Sequence, residues 1–179
     1  MGRFVFLDRD GTLVRDTGYP HRAEHYELLP GTARALGRLC AAGFGLVIVT
    51  NQSGIGRGLF GESDFRSFQQ LLLDDLTAAG VEIEATYHCP HAPDAGCDCR
   101  KPAPGLILRA CEDLGADPSE CWVVGDADRD IAVAARADCL GAVRVGAAPG
   151  TPAPAERPAQ FFDANDLEAA VDRILTAAA

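Results

Sequence analysis

The sequence lacks a long hydrophobic run. Apolar residues make up 47% of the 179 residues, but no stretch approaches the roughly 20 consecutive apolar residues that cross a membrane. The chain enters an apolar, strand-like segment at Phe4, which leaves no room for a secretory signal sequence. We therefore expect a cytoplasmic protein that has no membrane partner.

Positive charge is also scarce. The chain has 16 Lys and Arg residues against 26 Asp and Glu residues, which gives a formal net charge of −10 at pH 7. This balance argues against nucleic acid and against an anionic membrane surface as the main partner. It does not exclude a small anionic substrate, because a single site can be locally basic and can carry a metal ion.

Internal repeats, low-complexity tails and inter-domain linkers are missing, so residues 1–179 are expected to form a single domain. Strand-like segments alternate with helical ones along the whole chain. The predicted strands are 4–7, 44–49, 81–88, 121–124, 140–145 and 159–162, and the predicted helices are 31–42, 62–79, 104–114, 131–137 and 166–178. This alternation predicts a doubly wound α/β fold with a mostly parallel sheet, whose ligand lies beyond the carboxyl ends of the strands.

Polar clusters follow three of the predicted strands. Asp8 and Asp10 come after the first strand, Thr50 after the second, and Asp126 after a later one. Each cluster alone is compatible with an ordinary turn, since Asp and Gly often end strands. Together they bring several carboxylates to one edge of the sheet, where ionised groups are costly without a cation. Carboxylate oxygens in small number suit Mg²⁺, so we predict a magnesium site.

The seven cysteines include no Cys-x-x-Cys pair, which argues against a redox function. Cys89, His91, Cys97 and Cys99 instead form the pattern Cys-x-His-x₅-Cys-x-Cys. Three thiolates and one imidazole complete a tetrahedral zinc site and leave no open position for water. We therefore predict a structural zinc-binding loop at about residues 89–99, which we call the Cys-rich loop. It runs directly into Lys101, which it is expected to position for catalysis.

Four short motifs, "DRDGT", "TNQSG", "RKP" and "GDADRD", resemble the four motifs of the haloacid dehalogenase (HAD) superfamily of phosphotransferases, in the same order. The resemblance extends from residue 4 to about residue 145. It implies a Rossmann-like, HAD-like fold and a Mg²⁺-dependent phosphatase. Predicted strands and helices already fill the segments between the motifs, so no large cap domain is expected.

The resemblance also implies a role for each motif residue. Asp8 is the nucleophile that forms an aspartyl-phosphate, and Asp10 is the general acid and then the general base. Thr50 hydrogen-bonds the phosphoryl oxygens, and Lys101, with Arg100 beside it, neutralises their charge. Mg²⁺ is bound by Asp8, by Asp126 and by the backbone carbonyl of Asp10, and Asp130 supports this site.

Within the superfamily, the chain resembles most the D-glycero-D-manno-heptose-1,7-bisphosphate 7-phosphatase family. The related histidinol-phosphate phosphatases share the Cys-rich loop. The implied contacts with a small phosphorylated sugar are Asp16, Thr17, Gly18, Tyr19, Thr50, Asn51, Gln52, Ser53, Arg100, Lys101 and Ala127, to which Arg57 is added as an exposed cation for a second phosphate. The short Cys-rich loop, and Ala127 where the heptose family can have Lys, leave both substrates open.

The sequence argues against two interpretations without phosphatase activity. A phospho-acceptor signalling module also carries an Asp after a parallel strand, but Asp10 would hasten hydrolysis of its acyl phosphate. A zinc-stabilised binding module would not need Asp8, Asp10, Thr50, Lys101 and Asp126 together. With no cap domain to supply a dimer surface, a monomer is expected.

Overall fold

A six-stranded β-sheet organises residues 2–178, the part of the chain that the computed structural model describes. Its strands are β1 (Arg3–Leu7), β2 (Phe44–Asn51), β3 (Ala85–Cys89), β4 (Trp122–Gly125), β5 (Gly141–Val145) and β6 (Gln160–Ala164). Their order across the sheet is β3-β2-β1-β4-β5-β6, and every neighbouring pair is parallel. The predicted α/β class with a doubly wound parallel sheet is confirmed.

Helices cover both faces of this sheet. They are α1 (Thr32–Ala41), α2 (Ser53–Gly56), α3 (Glu62–Ala78), α4 (Gly105–Leu114), α5 (Asp128–Arg136) and α6 (Leu167–Ala177). Alternate side chains of β1 point to opposite faces, as the pleat requires. Val5 and Leu7 pack with α1, α3 and α6, whereas Phe4 and Phe6 pack with α4 and α5. No separate cap domain interrupts the sheet within residues 2–178.

The strand predicted at 81–88 is wrong in its first half. Pairing with β2 begins only at Ala85, opposite Val47. Val81 is buried, and its N–H donates to the carbonyl of Leu76 at 2.9 Å, so it closes the end of α3. The alternation of apolar and acidic residues from Val81 to Glu84 imitates a strand although this segment only leads into one.

Helix α5 begins three residues earlier than predicted. The carboxylate of Asp130 accepts the backbone N–H of Ala127 at 3.1 Å, which satisfies a free donor at the start of the helix. Two acids in its first turn, Asp128 and Asp130, also stabilise the helix start, because their negative charges interact favourably with the positive end of the helix dipole. The short helix α2 was not predicted, because its sequence, Ser-Gly-Ile-Gly, has poor helix propensity.

The topology places three strand ends side by side. In the sheet, the chain leaves β1 toward β2 and leaves the adjacent β4 toward β5, in opposite directions, which opens a crevice at the carboxyl ends of these strands. Asp8, Thr50 and Asp126 lie at or directly after these ends. Among the described residues, no helix is both long enough and apolar enough to cross a membrane.

Candidate functional site

The segment after β1 forms a tight turn that fixes Asp8. The backbone N–H of Asp8 donates to the carbonyl of Val124 at 2.9 Å, which joins the ends of β1 and β4. The carbonyl of Arg9 then accepts the N–H groups of Leu13 and Val14 at 2.9 and 3.1 Å. Because the turn reverses within a few residues, the Asp8 carboxylate stays at the strand end, where it is only 4% exposed.

Lys101 lies beneath this carboxylate. Its ammonium nitrogen is 2.9 Å from Asp8 Oδ1 and 2.7 Å from Asp130 Oδ1, and it donates to the carbonyl of Val49 at 2.7 Å. Burial alone would lower the pKa of Lys101, but Asp130 and Asp8 outweigh burial and leave its pKa above the ordinary value. Lys101 is therefore a cation although it is fully buried, and it can neutralise negative charge at Asp8.

Three carboxylates converge around this single lysine. Oxygens of Asp8, Asp126 and Asp130 lie within 4.8 Å of one another. Burial, together with the charges of Asp8 and Asp130, raises the pKa of Asp126 to about 6. Its Oδ1 is buried and has no hydrogen-bond partner among the described residues. An excess of carboxylates over cations, with an unused oxygen, fits a divalent cation with oxygen ligands.

Gly11 gives Asp126 the space to reach this cluster. A Cβ atom at residue 11 would lie 2.3 Å from Asp126 Oδ2, and the φ angle of +84° also favours glycine. The glycine in "DRDGT" thus admits the Asp of "GDADRD" from the neighbouring strand. The two motifs, more than a hundred residues apart in sequence, form one site.

Asp10 occupies a different environment from Asp8. It accepts hydrogen bonds from Arg9 at 2.7 and 3.0 Å and from the Gln52 amide at 2.9 Å. Burial raises the pKa of Asp10 although Arg9 opposes this effect. A raised pKa suits a carboxyl that must carry a proton. Gln52 also donates to the Thr50 hydroxyl at 2.9 Å, which holds Thr50 at the same edge of the sheet.

A cavity of about 230 Å³ opens above these groups. Its walls include ten of the predicted site residues: Asp8, Asp10, Asp16, Gly18, Tyr19, Thr50, Asn51, Gln52, Ser53 and Arg100. The Nη1 atom of Arg100 is buried and has no hydrogen-bond partner among the described residues. A buried, unpartnered donor of this kind can accept an anionic ligand.

The remaining predicted residues lie around the cavity rather than in its wall. Lys101 and Asp126 are beneath it, and Ala127 immediately precedes α5. Thr17 is exposed next to the cavity loop. The exposed guanidinium of Arg57 lies 5.9 Å from the ring centre of Tyr19, so it borders the cavity entrance through that side chain.

The Cys-rich loop gathers its four predicted ligands. The Cys89 sulfur is 3.1 Å from that of Cys99, 3.7 Å from that of Cys97 and 3.6 Å from His91 Nδ1. Tetrahedral zinc with bonds of about 2.3 Å spaces its sulfur ligands by about 3.8 Å. The 3.7 Å separation of Cys89 and Cys97 matches this spacing, and the 3.1 Å separation of Cys89 and Cys99 is shorter. Burial opposes ionisation of Cys97, but hydrogen bonds from Cys99 and from the Arg100 backbone lower its pKa to about 7. The donor set therefore fits zinc.

Asn51 connects this loop to the lysine. Its side chain accepts the Lys101 N–H at 3.0 Å and donates to the Lys101 carbonyl at 3.1 Å. In the sheet Asn51 pairs with Cys89, the first cysteine of the loop. The loop also contacts α2, because Gly56 N–H donates to the carbonyl of Pro90 at 2.7 Å. Asn51 therefore holds Lys101 directly, and both β2 and α2 contact the loop that precedes it.

A family model described as haloacid dehalogenase-like hydrolase matches residues 18–138. The chain belongs to this family. Curated relatives extend the match: a D-glycero-beta-D-manno-heptose-1,7-bisphosphate 7-phosphatase from Pasteurella multocida is 42% identical over 73% of this chain and 74% of the relative. A protein of the same name from Escherichia coli K12 is 41% identical over 79% of each chain.

A solved structure shows the same architecture. D,D-heptose 1,7-bisphosphate phosphatase from B. bronchiseptica, complexed with magnesium and phosphate, has a TM-score of 0.86 and 32% identity, and the match covers 99% of both chains. The predictions of a HAD-like fold without a large cap and of a phosphoric monoester hydrolase are confirmed. This HAD-like hydrolase resembles heptose bisphosphate phosphatases, as the motifs predicted.

Two residues of the site were not predicted from the sequence. Arg129 lines the cavity, and Arg9 is completely buried against Asp10. Both residues are part of recognised motifs, "GDADRD" and "DRDGT", but an arginine beside acids is usually a surface charge. The signal that could have indicated Arg129 is its position in the first turn of α5, where a cation opposes the helix dipole.

Replacing Gly11 with Ala is expected to lower phosphatase activity by at least about 10-fold, because the added methyl group displaces the Asp126 carboxylate. Gly80→Ala is the matched control, since Gly80 also has a positive φ angle, +76°, but nothing within 4 Å of an added Cβ. Both variants should lose about 1 kcal/mol of stability from backbone strain. Steady-state hydrolysis of p-nitrophenyl phosphate and thermal melts measure the two effects. Equal activity losses in both variants would show that displacement of Asp126 is not the cause.

Proposed function

We propose that this HAD-like hydrolase removes the 7-phosphate from D-glycero-D-manno-heptose 1,7-bisphosphate through an aspartyl-phosphate on Asp8. The observation that carries the proposal is the contact of Asp8 with the buried Lys101 beside Asp126 and Asp130, directly below a cavity with a free arginine donor. The names of the curated relatives and of the B. bronchiseptica structure support the choice of substrate.

In the first step, an oxygen of Asp8 attacks the phosphorus, and the bond from phosphorus to the sugar oxygen breaks. Asp10 gives its proton to that leaving oxygen. Lys101 and the Thr50 hydroxyl stabilise the transferring group, whose negative charge repels a carboxylate nucleophile. Mg²⁺, held by Asp8, Asp126 and the backbone carbonyl of Asp10, would supply further positive charge against this repulsion.

In the second step, the oxygen of a water molecule attacks phosphorus, and the ionised Asp10 takes a proton from that water. The bond from phosphorus to Asp8 breaks, which releases phosphate and restores the enzyme. Asp10 regains its proton and Asp8 its charge, so the cycle closes. Asp130 keeps Lys101 in place for both steps through its 2.7 Å contact.

The cavity walls supply recognition of a small phosphorylated sugar. Asp16, Gly18 and Tyr19 offer acceptors and a flat surface to the sugar, and Arg100 and Arg129 offer cations to its second phosphate. Thr17, Asn51, Gln52, Ser53, Arg57 and Ala127 complete the proposed contacts. The single domain over residues 1–179, the monomeric state and the cytoplasmic location stay predictions.

Zinc in the Cys-rich loop is proposed to be structural. Cys89, His91, Cys97 and Cys99 provide four ligands, which leaves no position for a substrate or water. The loop is connected to the site through the Gln52 N–H, which donates to the Cys89 carbonyl at 2.8 Å, through Asn51 and through the chain that continues into Lys101. Its contribution to catalysis is therefore the placement of Lys101 and Arg100 before the substrate binds.

Asp8→Asn is expected to lower kcat by at least about 10³-fold, because an amide cannot form the aspartyl-phosphate. Asp74→Asn, an exposed position on α3, is the control and should keep wild-type activity. Hydrolysis of heptose 1,7-bisphosphate gives kcat, and circular dichroism checks the fold. Appreciable turnover by a folded Asp8→Asn protein would rule out Asp8 as the nucleophile.

The substrate assignment is tested by comparing kcat/KM for the two anomers of heptose 1,7-bisphosphate, for histidinol phosphate and for other sugar bisphosphates. We expect a heptose 1,7-bisphosphate anomer to be preferred by at least about 10-fold, because two phosphates can engage both Lys101 and Arg100. Histidinol phosphate is the rival, since those enzymes share the Cys-rich loop. A preference for it would replace the proposed substrate while leaving the mechanism intact.

Cys97→Ser is expected to reduce the zinc content from one equivalent to near zero, since structural zinc needs all four ligands. The protein should lose roughly 3 kcal/mol of stability, which is about 10 °C in Tm. Cys40→Ser, outside the loop, serves as the control. Elemental analysis and thermal melts provide the measurements, and undiminished zinc in the Cys97 variant would refute the site.

A further inference from the structure

Arg9 is a completely buried arginine at the edge of the candidate site. Its guanidinium lies 4.7 Å from the ring centre of Phe68 and 5.5 Å from that of Phe65, both on α3. None of its surface is exposed. Burying a guanidinium costs several kcal/mol unless charged and polar partners compensate. The contacts of Arg9 should therefore explain why a buried guanidinium is present at this position.

The main partner of Arg9 is the carboxylate of Asp10. Nε donates to Oδ1 at 2.7 Å and Nη2 donates to Oδ2 at 3.0 Å, which forms a bidentate pair. Gln52 donates to the same Oδ2 at 2.9 Å. These three bonds fix both the position and the plane of the carboxyl group. Among the described residues, none donates to the second lone pair of Oδ1. That lone pair can therefore carry the proton.

Arg9 has a second contact, with the backbone of a loop that lines the cavity. Nη2 donates to the carbonyl of Pro20 at 3.3 Å, at the end of the loop formed by residues 16–20. Asp16, Gly18 and Tyr19 of this loop line the cavity. One rigid guanidinium therefore bridges the proposed proton donor and the proposed sugar-binding loop.

We propose that Arg9 is a positioning residue that fixes the Asp10 carboxyl group for proton transfer to the leaving oxygen and ties its position to the loop of residues 16–20. The inference rests on the proposed function, because it needs Asp10 to be the proton donor. Arg9 itself reaches no reacting atom. Its contribution is geometric: phosphoryl transfer to Asp8 breaks the bond to the sugar oxygen, and the Asp10 proton must be in line with that oxygen as it leaves.

A lysine cannot replace this function. Lysine keeps the positive charge but offers a compact ammonium without the planar fork, so it cannot hold both Asp10 oxygens and Pro20 together. Arg9→Lys therefore separates positioning from charge. Arg144 provides a matched control: it is 3% exposed, forms a bidentate pair with Asp163 at 2.8 and 3.2 Å, and lies 5.7 Å from the ring centre of Phe161.

The experiment compares Arg9→Lys, Arg144→Lys, Asp10→Asn and the Arg9→Lys/Asp10→Asn double variant on two substrates. An alkyl phosphate, heptose 1,7-bisphosphate, has a leaving alkoxide that needs a proton, whereas p-nitrophenyl phosphate has a leaving group that does not. The quantity compared is kcat/KM, since it ends with departure of the leaving group and excludes the later attack of water. Thermal melts record stability in parallel.

We expect Arg9→Lys to lower kcat/KM by about 10-fold to 100-fold on the alkyl phosphate and by less than about 3-fold on p-nitrophenyl phosphate. Asp10→Asn should show the same selectivity with a larger loss. The double variant should be no slower than Asp10→Asn alone, because positioning has no effect once the proton donor is gone. Arg144→Lys should leave kcat/KM for both substrates unchanged, although it can lower stability.

Equal losses of Arg9→Lys on both substrates would overturn the inference and leave Arg9 as a structural residue. If Arg9→Lys lost no activity on either substrate while Asp10→Asn showed its selective loss, the inference alone would be overturned. An unselective Asp10→Asn would remove the proton-donor role of Asp10, and the inference with it, while the test of Asp8 as nucleophile stands apart. Additive losses in the double variant would likewise show that Arg9 does not act through Asp10.

Discussion

The candidate site depends on the ion pairs that the buried ammonium of Lys101 forms with Asp8 and Asp130. Asp8, Asp126 and Asp130 bring three carboxylates within 4.8 Å of one another, and like charges at such distances repel strongly in a poorly solvated environment. Lys101 contacts two of them and so compensates part of that charge. The remaining excess of negative charge is what makes the cluster suited to a divalent cation. Removing the lysine would leave Asp8 beside two carboxylates without the cation that offsets their repulsion.

The secondary structure around Lys101 is arranged to hold it there. Strand β2 extends two residues beyond its predicted end, so that Asn51 pairs with Cys89 and grips both backbone groups of Lys101. The carbonyl of Val49, earlier in the same strand, accepts from the ammonium. Since the Cys-rich loop leaves β3 at Cys89 and ends just before Lys101, its four predicted metal ligands could fix a segment that has little regular structure.

Much of this could be predicted from the sequence, for physical reasons that also explain the failures. Strand β1 and the acids after it are local patterns, and the predicted metal ligands follow from the local spacing of Cys89 to Cys99. Local patterns failed where tertiary contacts decide: Val81 closes α3 instead of starting a strand, and the pairing of β2 continues through Asn51 because Cys89 lies opposite. Arg9 could not be predicted because its burial depends on Phe65 and Phe68, distant in sequence.

The distribution of the arginines explains how a chain with a net charge of −10 can take an anionic substrate. Several arginines away from the site are paired with acids, as in Arg15 with Glu27 and Arg136 with Glu156. Arg100 and Arg129 line the cavity and form no ion pair within residues 2–178. Because the carboxylates lie below these arginines, the site offers negative charge to a cation at its base and positive charge to phosphate along its side. The net charge of the chain is therefore a poor guide to its ligand, since the local order of charges decides.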